Sequence, residues 1–230
     1  MEKDEEKREN NTFACRFYFI PDYPDPVYRF TGGICTMLTR NEPFFRIQMN
    51  DFDPFQTFLC GQCFRWAQDE DGLWTGNVFG RRLRLSWENG ICTFYGINEQ
   101  QFIDQFHDYF DMSTDYTSIK KELIQIDERL DKAVAFGSGM RLLRQDLWEV
   151  LLSFVISQNN GIPRIKQIVE SLCMHFGKPL SAENGTYDFP QPEALANATM
   201  DNLNLCRGGY RCRYISDISR ILTQKPSFLA

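Results

Sequence analysis

The chain has 230 residues, of which 43% are hydrophobic and 14% aromatic, and its formal net charge is −6. This length and apolar content suffice for one or two buried cores and exclude a disordered chain. The sequence has no run of eighteen or more uncharged apolar residues, and its first residues are almost wholly charged. These features argue against a membrane span and a secretory signal, so we expect a cytoplasmic protein with no membrane partner.

Residues 1–43 are predicted to form a poorly ordered N-terminal extension. The segment begins with a charged run and continues through Pro21–Gly33, a stretch that contains prolines and glycines and has no stable periodicity. A segment of this kind buries too little apolar surface to offset the entropy of ordering it.

Residues 44–128 are predicted to form an antiparallel sheet domain with flanking helices. Apolar and polar residues alternate in three consecutive segments, which end at Gly80 or at the turn signal Glu88-Asn89-Gly90, as in a pair of hairpins. After Asn98 the apolar residues follow the period of a helix instead. The three strand segments are Leu73–Phe79, Arg81–Trp87 and Ile91–Tyr95, and the helical stripes span Phe102–Phe110 and Ile119–Ile126.

Residues 129–230 are predicted to form an incomplete all-helical domain, so that the fold class is α+β. Leu147–Ile156 is apolar nearly all round, and we expect it to be a buried central helix. Ile165–Phe176 has an amphipathic pattern that predicts a second helix ending at Gly177. Acidic residues dominate the chain before this domain, whereas the domain itself has a basic excess.

Three consecutive amide side chains, Gln158, Asn159 and Asn160, separate the two predicted helices. Each amide offers both hydrogen-bond donors and acceptors, so together with Arg164 they have the groups needed to contact the edges of a nucleobase. The alternative is a loop whose amides cap the helix that begins near Ile162. Capping requires only one such residue, so both interpretations stay open.

A second candidate site is the segment from Gly208 to Tyr214. The two glycines allow a close backbone approach, and an aromatic residue beside an arginine, Tyr210 and Arg211, suits a wedge that enters a base stack. The alternative is an ordinary glycine turn followed by a core tyrosine. A basic cluster surrounds this segment, and it suits either phosphate contacts or a solvated helix face. Its members are Arg207, Arg211, Arg213, Arg220 and Lys225.

The eight cysteines are scattered through the chain, which is typical of reduced thiols in a protein without an export signal. Cys60 and Cys63 have the spacing of a redox pair or of half a zinc site. Zinc requires a second ligand pair, and the chain has only two histidines, His107 and His175. We therefore favour a structural role for both cysteines and expect neither a metal nor a cofactor.

Several motifs together resemble the 8-oxoguanine DNA glycosylases, in the order found in that family. The resemblance extends from about residue 50 to residue 224, and it implies an antiparallel domain followed by a helical domain that flips an oxidised guanine out of duplex DNA. The motifs that carry it are Cys60–Trp66, Leu142–Asp146, Ser157–Ile165, Phe189-Pro190 and Gly209–Tyr214.

The resemblance implies a role for each matching residue. Gly61 resembles the position whose carbonyl tests the N7 hydrogen that distinguishes oxidised guanine from guanine, a change from acceptor to donor. Asn159 resembles the residue that fills the space left by the flipped base, and Tyr210 resembles the wedge beside it. Arg164 and Arg211 resemble the pair that grips the orphaned cytosine.

The sequence also departs from the family. Relatives often have a third asparagine where Gly161 stands, and they continue into a helix-hairpin-helix followed by a nucleophilic lysine and an aspartate. The sequence ends at Ala230 before any match to these motifs, and Lys225 precedes Pro226 outside such a motif. The lysine amine attacks the sugar C1′ to form a Schiff base. We therefore assign no catalytic residue and expect this chain alone to be inactive.

By resemblance, the expected function is base excision repair of oxidised purines, by a DNA N-glycosylase with AP lyase activity on 8-oxoguanine in duplex DNA. The implied partners are damaged double-stranded DNA and, if one exists, a separately encoded C-terminal catalytic module. In a bacterium the cytoplasmic protein would be associated with the nucleoid. The alternative is a non-catalytic module that binds damaged DNA, or a pseudoenzyme remnant. A thiol-redox protein built on Cys60 and Cys63 is a distant third.

Overall fold

A computed structural model describes residues 43–181 and 185–229 of the chain. The predicted N-terminal extension lies outside the described residues apart from Pro43. Within the described ranges a sheet comes first and helices come after it, an α+β arrangement that confirms the predicted fold class.

The sheet has five antiparallel strands in the order β1-β5-β4-β3-β2. It confirms the three predicted strand segments and their hairpins. Between β4 and β5, Asn89 and Gly90 have φ angles of 51° and 81°, the positive values that a tight hairpin turn requires. The strands are β1 (Phe44–Gln48), β2 (Trp66–Gln68), β3 (Trp74–Val78), β4 (Arg81–Glu88) and β5 (Ile91–Tyr95).

Nine helices, counted within the described residues, accompany the sheet. None of those nine is both long enough and apolar enough to cross a membrane. They are α1 (Pro54–Phe58), α2 (Glu99–Gln105), α3 (Tyr116–Ile126), α4 (Asp131–Phe136), α5 (Leu147–Ser157), α6 (Ile162–Phe176), α7 (Pro192–Ala196), α8 (Met200–Asn204) and α9 (Arg211–Gln224). Between α6 and α7 lies a short hairpin of β6 (Pro179–Ser181) and β7 (Thr186–Tyr187).

Two separate cores account for the stability of the two parts. The first lies between the sheet and the helices α1 and α2, and it is largely aromatic: the ring of Phe58 stacks on Trp66 with centroids 4.0 Å apart. The second lies among α5, α6, α7 and α9. Leu143 belongs to the first core and Trp148 to the second, so the change of core falls between them. The predicted domain boundary after residue 128 stays a prediction.

The segment that joins the two cores, residues 139–145, has no regular secondary structure, and we call it the connecting segment. Its backbone N–H groups donate instead to partners scattered along the first part of the chain, at 2.7–3.2 Å. These partners are Gln56 Oε1 for Gly139, Gly137 O for Met140, Thr57 Oγ1 for Arg141, the Tyr116 hydroxyl for Leu142, Gln62 Oε1 for Leu143 and Tyr109 O for Arg144.

Arg141 fixes the connecting segment to the first core. Its guanidinium is buried, donates to four backbone carbonyls at 3.0–3.4 Å and lies 4.5 Å from the centroid of the Tyr116 ring. A buried cation is tolerated only when such acceptors replace its lost hydration. The carbonyls belong to Asn50, Phe110, Asp111 and Thr114.

The prediction that Leu147–Ile156 is a buried central helix is half wrong. Leu152 and Ile156 of α5 are fully buried against the second core, but Leu147 and Phe154 are 60% and 64% exposed. Within the described residues, α6 and α9 pack on one face of α5 and leave the opposite apolar face uncovered. Composition alone shows that a helix is apolar, whereas its neighbours decide how much of it is buried.

We predict that Thr57→Val lowers the free energy of unfolding by about 2–3 kcal/mol. The hydroxyl of Thr57 is buried, donates to Gly139 O at 3.0 Å and accepts from Arg141 N. Valine leaves the Arg141 N–H unpaired and removes one of the two hydrogen bonds to Gly139 O, which keeps its bond from Asp53 N. Thr57→Ser is the matched control, because it keeps the hydroxyl and loses only one methyl group. Urea unfolding should show a larger loss for valine than for serine, and equal losses would contradict the role of the hydroxyl.

Candidate functional site

The amide turn between α5 and α6 exposes its central residue. Asn159 has a φ of 50°, a left-handed conformation that asparagine adopts more readily than most residues, and its side chain makes no hydrogen bond with any residue that the structure describes. Asn160 donates its side-chain amide to Ile156 O at 3.1 Å and so caps the end of α5. The helix cap of α6 is Gly161, without a side-chain hydrogen bond, so the amides do not cap α6.

Arg164 lies in the first turn of α6, and its side chain is exposed. A cation there is electrostatically unfavourable, because the N-terminal end of a helix carries a partial positive charge. Arg164 forms no ion pair or hydrogen bond within residues 43–181 and 185–229. It therefore does not stabilise the helix, and its position instead adds to the attraction of this helix end for an anion.

Tyr210 and Arg211 contact the backbone of the amide turn. The buried guanidinium of Arg211, in a residue only 6% exposed, donates through Nε to Gln158 O at 3.0 Å and through Nη2 to Asn159 O at 2.9 Å, with a further Nη2 bond to Gln158 O. The Tyr210 hydroxyl donates to the same Gln158 carbonyl at 3.3 Å. Tyr210 is 56% exposed, so the alternative of a core tyrosine is wrong.

The start of α9 therefore lies against the amide turn, which leads directly into the start of α6. Both helix N-termini carry partial positive charge, and Arg207 and Arg213 are exposed on either side of Tyr210. The rest of the basic cluster does not act as one patch, because Arg211 is turned inward and Arg220 lies near Ala196 O, at 3.5 Å from its Nε. The positive surface is thus concentrated at the two helix ends.

Gly61 belongs to the same surface. A Cβ built on Gly61 would lie 3.7 Å from Ile162 Cδ1, the first residue of α6, and the φ of Gly61 is 94°, a value that favours glycine. In the described part of the chain the Gly61 carbonyl accepts no hydrogen bond. The structure thus brings together the turn, the start of α9 and a free carbonyl that come from widely separated segments.

Cys60 and Cys63 do not form a reactive pair. Cys60 is exposed, but Cys63 is buried, and this burial raises the pKa of the Cys63 thiol far above its ordinary value. A thiol held neutral is a poor nucleophile, which argues against the thiol-redox interpretation. The described residues also contain no group of three or more potential ligands that is suited to a metal ion.

Two half-buried features of the site were missed by the sequence analysis. Gln62 lies within the Cys60–Trp66 motif, which is its only sequence signal. Two of its side-chain hydrogen bonds reach residues about eighty positions away. Glu149 faces a cavity behind this loop, next to Arg65, Tyr109 and Asp146. No local signal marks Glu149, because it follows the N-cap of α5 where acidic residues are common.

Burial raises the pKa of Glu149 to about 7. The Arg65 guanidinium acts in the opposite direction, but the carboxylates of Asp146, Asp188 and Glu170 raise the pKa further. The Arg65 guanidinium bonds to groups other than Glu149: its Nε pairs with Glu170 at 3.4 Å and its Nη2 donates to Tyr187 O. Glu149 is therefore largely protonated below neutral pH.

Two family models match the chain over most of its length. The first describes the N-terminal domain of 8-oxoguanine DNA glycosylase and matches residues 44–151. The second describes HhH-GPD superfamily base excision DNA repair proteins and matches residues 152–230. These two models, together with the sheet-then-helix order of the structure, place the chain in this class of repair proteins.

Curated and solved relatives agree with the family models. The chain is 33% identical over 180 residues to the N-glycosylase/DNA lyase of Saccharomyces cerevisiae, covering 70% of this chain and 47% of that protein. The structure of MBOgg1 in complex with a low affinity DNA ligand has a TM-score of 0.73 and 39% identity, covering 78% of this chain and 62% of that one.

A third relative is the Clostridium acetobutylicum 8-oxoguanine glycosylase/lyase in complex with dsDNA containing cytosine opposite to 8-oxoG. Its TM-score is 0.74 and its identity 35%, covering 81% of this chain and 64% of that one. The chain belongs to the 8-oxoguanine DNA glycosylase family of the HhH-GPD superfamily. It spans about half the length of the curated relatives that it matches.

We predict that Glu149→Gln stabilises the fold by about 2 kcal/mol at pH 8, because each unit of pKa shift corresponds to about 1.4 kcal/mol and the group is only partly buried. The folded state holds a proton that the unfolded chain releases above about pH 4.3, so the wild-type fold loses stability as the pH rises through about 7. Glutamine keeps the shape without this loss.

Thermal unfolding at pH 5 and pH 8 tests the predicted effect of Glu149→Gln on stability. The advantage of Glu149→Gln over the wild type should be larger at pH 8, and Glu88→Gln, at the exposed end of β4, controls for the loss of one negative charge. An advantage that shrinks as the pH rises contradicts a raised pKa for Glu149.

Proposed function

We propose that this protein is an 8-oxoguanine DNA glycosylase and AP lyase in base excision repair, and that residues 1–230 recognise the damaged duplex. The single observation that carries the proposal is that residues from distant segments, which the resemblance matches to recognition roles, lie at or next to the amide turn between α5 and α6. They provide a free backbone carbonyl, an exposed amide, an exposed aromatic ring, one exposed guanidinium and one buried guanidinium. These groups belong to Gly61, Asn159, Tyr210, Arg164 and Arg211.

The exposure of Asn159 and Tyr210 suits base flipping. Extruding a base from duplex DNA costs a few kcal/mol of stacking and pairing, and side chains that enter the vacated space offset part of that cost. The Asn159 amide has unused donors and acceptors, and the Tyr210 ring stands out from the surface on a helix start. The Asn159 side chain can therefore contact duplex DNA without losing an existing hydrogen bond. The exposed Tyr210 ring is accessible to the DNA as well.

The two helix ends account for binding a polyanion despite the net charge of −6. Backbone N–H groups at helix N-termini and exposed Arg164, Arg207 and Arg213 attract phosphates locally, while the acidic residues lie mainly in the first part of the chain. The complex of the Clostridium acetobutylicum relative with dsDNA that contains cytosine opposite to 8-oxoG supports the same partner here. Because phosphate contacts release counterions, we expect binding to weaken steeply with salt.

The Gly61 carbonyl suits discrimination between the lesion and guanine. An oxidised guanine has a hydrogen on N7 where guanine has a lone pair, so the same carbonyl attracts one base and repels the other. Since the carbonyl accepts no hydrogen bond from the described residues, it is free to meet the base. This single contact is sufficient to explain a preference for the lesion over guanine.

A second candidate is a module that binds damaged DNA without cutting it. It is favoured by Lys166, the lysine nearest to the turn in the sequence, because Lys166 Nζ donates to Trp66 O at 2.9 Å and its amine is engaged. We propose that residues 1–230 alone bind the lesion duplex but do not excise the base or cleave the strand. Strand chemistry then requires a nucleophile such as the lysine of the family motif, for which these residues show no match.

We predict that Arg211→Ala and Asn159→Gly each weaken binding to a duplex with 8-oxoguanine opposite cytosine roughly 10-fold. Arginine supplies the contacts to cytosine and holds the turn, and asparagine supplies the amide that enters the vacated space. Glycine at position 159 tolerates the positive φ, so this variant removes the amide without straining the backbone. Fluorescence anisotropy at fixed salt measures the dissociation constants.

Arg129→Ala is the matched control, since Arg129 is an exposed arginine that pairs with Asp127 between α3 and α4. It removes the same charge and should leave the affinity within about 2-fold of the wild type, as expected for a surface substitution outside the site. Unchanged affinity in both site variants, in samples that remain folded, contradicts the residue assignments.

We further predict that residues 1–230, incubated with the same duplex and borohydride, give no covalent protein–DNA adduct. Borohydride reduces a Schiff base, so trapping reports an amine that attacks the sugar C1′. Denaturing electrophoresis with labelled DNA detects the adduct. An adduct shows that an amine of this chain performs the chemistry, whereas binding without an adduct agrees with a recognition role for these residues.

A further inference from the structure

Gln62 lies next to Gly61 in the chain, and hydrogen bonds to α1 and to the connecting segment hold it in place. Its Nε2 donates to Thr57 O at 2.7 Å and to Arg141 O at 2.8 Å, and its Oε1 accepts from Leu143 N at 3.0 Å. The backbone carbonyl of Gln62 accepts from Gln145 Nε2 at 2.7 Å. Both N–H groups and the oxygen of the side-chain amide are thus engaged.

Gly61 itself has little that fixes its conformation. Glycine has a wide choice of backbone angles, no side chain anchors it, and its carbonyl accepts no bond in the described part of the chain. The Gly61 carbonyl, however, shares a planar peptide unit with Gln62 N and Cα. Because Gln62 is held through its side chain and its own carbonyl, one end of that peptide plane is immobile.

We infer that Gln62 is a positioning residue that sets the preference for the lesion base over guanine by fixing the direction of the Gly61 carbonyl. The inference rests on the proposed function, in which this carbonyl meets N7 of the purine. A hydrogen bond weakens steeply as its angle departs from linear, so a loosely held carbonyl binds the lesion less well.

A fixed carbonyl also acts against guanine. Guanine presents a lone pair at N7, and two acceptors that face each other repel. A mobile carbonyl turns away from this repulsion, whereas one held by Gln62 does not. Loss of the anchor should therefore weaken binding of the lesion and relieve the penalty against guanine, so that both changes lower the preference.

The test compares Gln62→Ala with the wild type in the full 230-residue chain. We expect the ratio of dissociation constants for guanine and 8-oxoguanine duplexes, both opposite cytosine, to fall roughly 10-fold, the effect of about one lost hydrogen bond. The preference for cytosine over adenine opposite the lesion should not change, since it depends on Arg164 and Arg211. A structural defect alone lowers all affinities together and leaves both ratios unchanged.

Gln68→Ala is the matched control, because the Gln68 amide also donates to a backbone carbonyl, Gly72 O, but in an exposed hairpin of the sheet. Gln145→Ala is the second test variant. It removes only the bond to the Gln62 carbonyl, keeps the side chain of Gln62 in place, and should lower the lesion preference by a smaller factor. This variant decides the matter if Gln62→Ala does not fold.

The outcomes separate the inference from the function on which it rests. A wild-type chain that binds guanine and lesion duplexes equally overturns the proposed function and the inference with it. A wild-type preference that survives in folded Gln62→Ala, or in folded Gln145→Ala where the first variant does not fold, overturns the inference alone. A lowered lesion preference with an unchanged opposite-base preference supports both.

Discussion

The arrangement of the molecule depends on one constraint: the connecting segment is partly buried and has no strand or helix to satisfy its backbone. An unpaired buried N–H or C=O group costs about 1–3 kcal/mol. About six such residues without partners would therefore cost a free energy comparable to the whole stability of a domain. Side chains of the first part of the chain supply the partners instead. Thr57, Gln62 and Tyr116 act as substitutes for a neighbouring strand.

This solution couples the stability of the fold to the geometry of the site. The same Gln62 amide that satisfies Arg141 O and Leu143 N lies one residue from the carbonyl proposed to meet the base. Further ties cross between the two parts of the chain, where Lys166 of α6 donates to Trp66 O and Arg65 donates to Tyr187 O. The loop that carries Gly61 is therefore positioned by both cores as well as by its short-range bonds to α1.

Features with local causes were predictable from the sequence. The alternation along β3 to β5 and the Asn89-Gly90 turn specify the hairpins. The motif pattern assigns recognition roles to Gly61, Asn159 and Arg211, and these roles stay predictions. The five-residue helix α1 is too short for periodicity to detect, although Asp53 before Pro54 is a capping signal. The exposed face of α5 and the contacts of Gln62 depend on residues distant in sequence, which no local pattern encodes.

The contacts of Arg211 show why its role is more than that of a free cation. A guanidinium has five N–H donors, and carbonyl oxygens of Gln158, Asn159 and Gly208 accept four hydrogen bonds from Arg211, which leaves one Nη1 hydrogen. A base acceptor must use that hydrogen or displace a carbonyl of the turn. Because those carbonyls hold Asn159 in its left-handed conformation, the arginine and the asparagine behave as one unit, and the effects of replacing them are not additive.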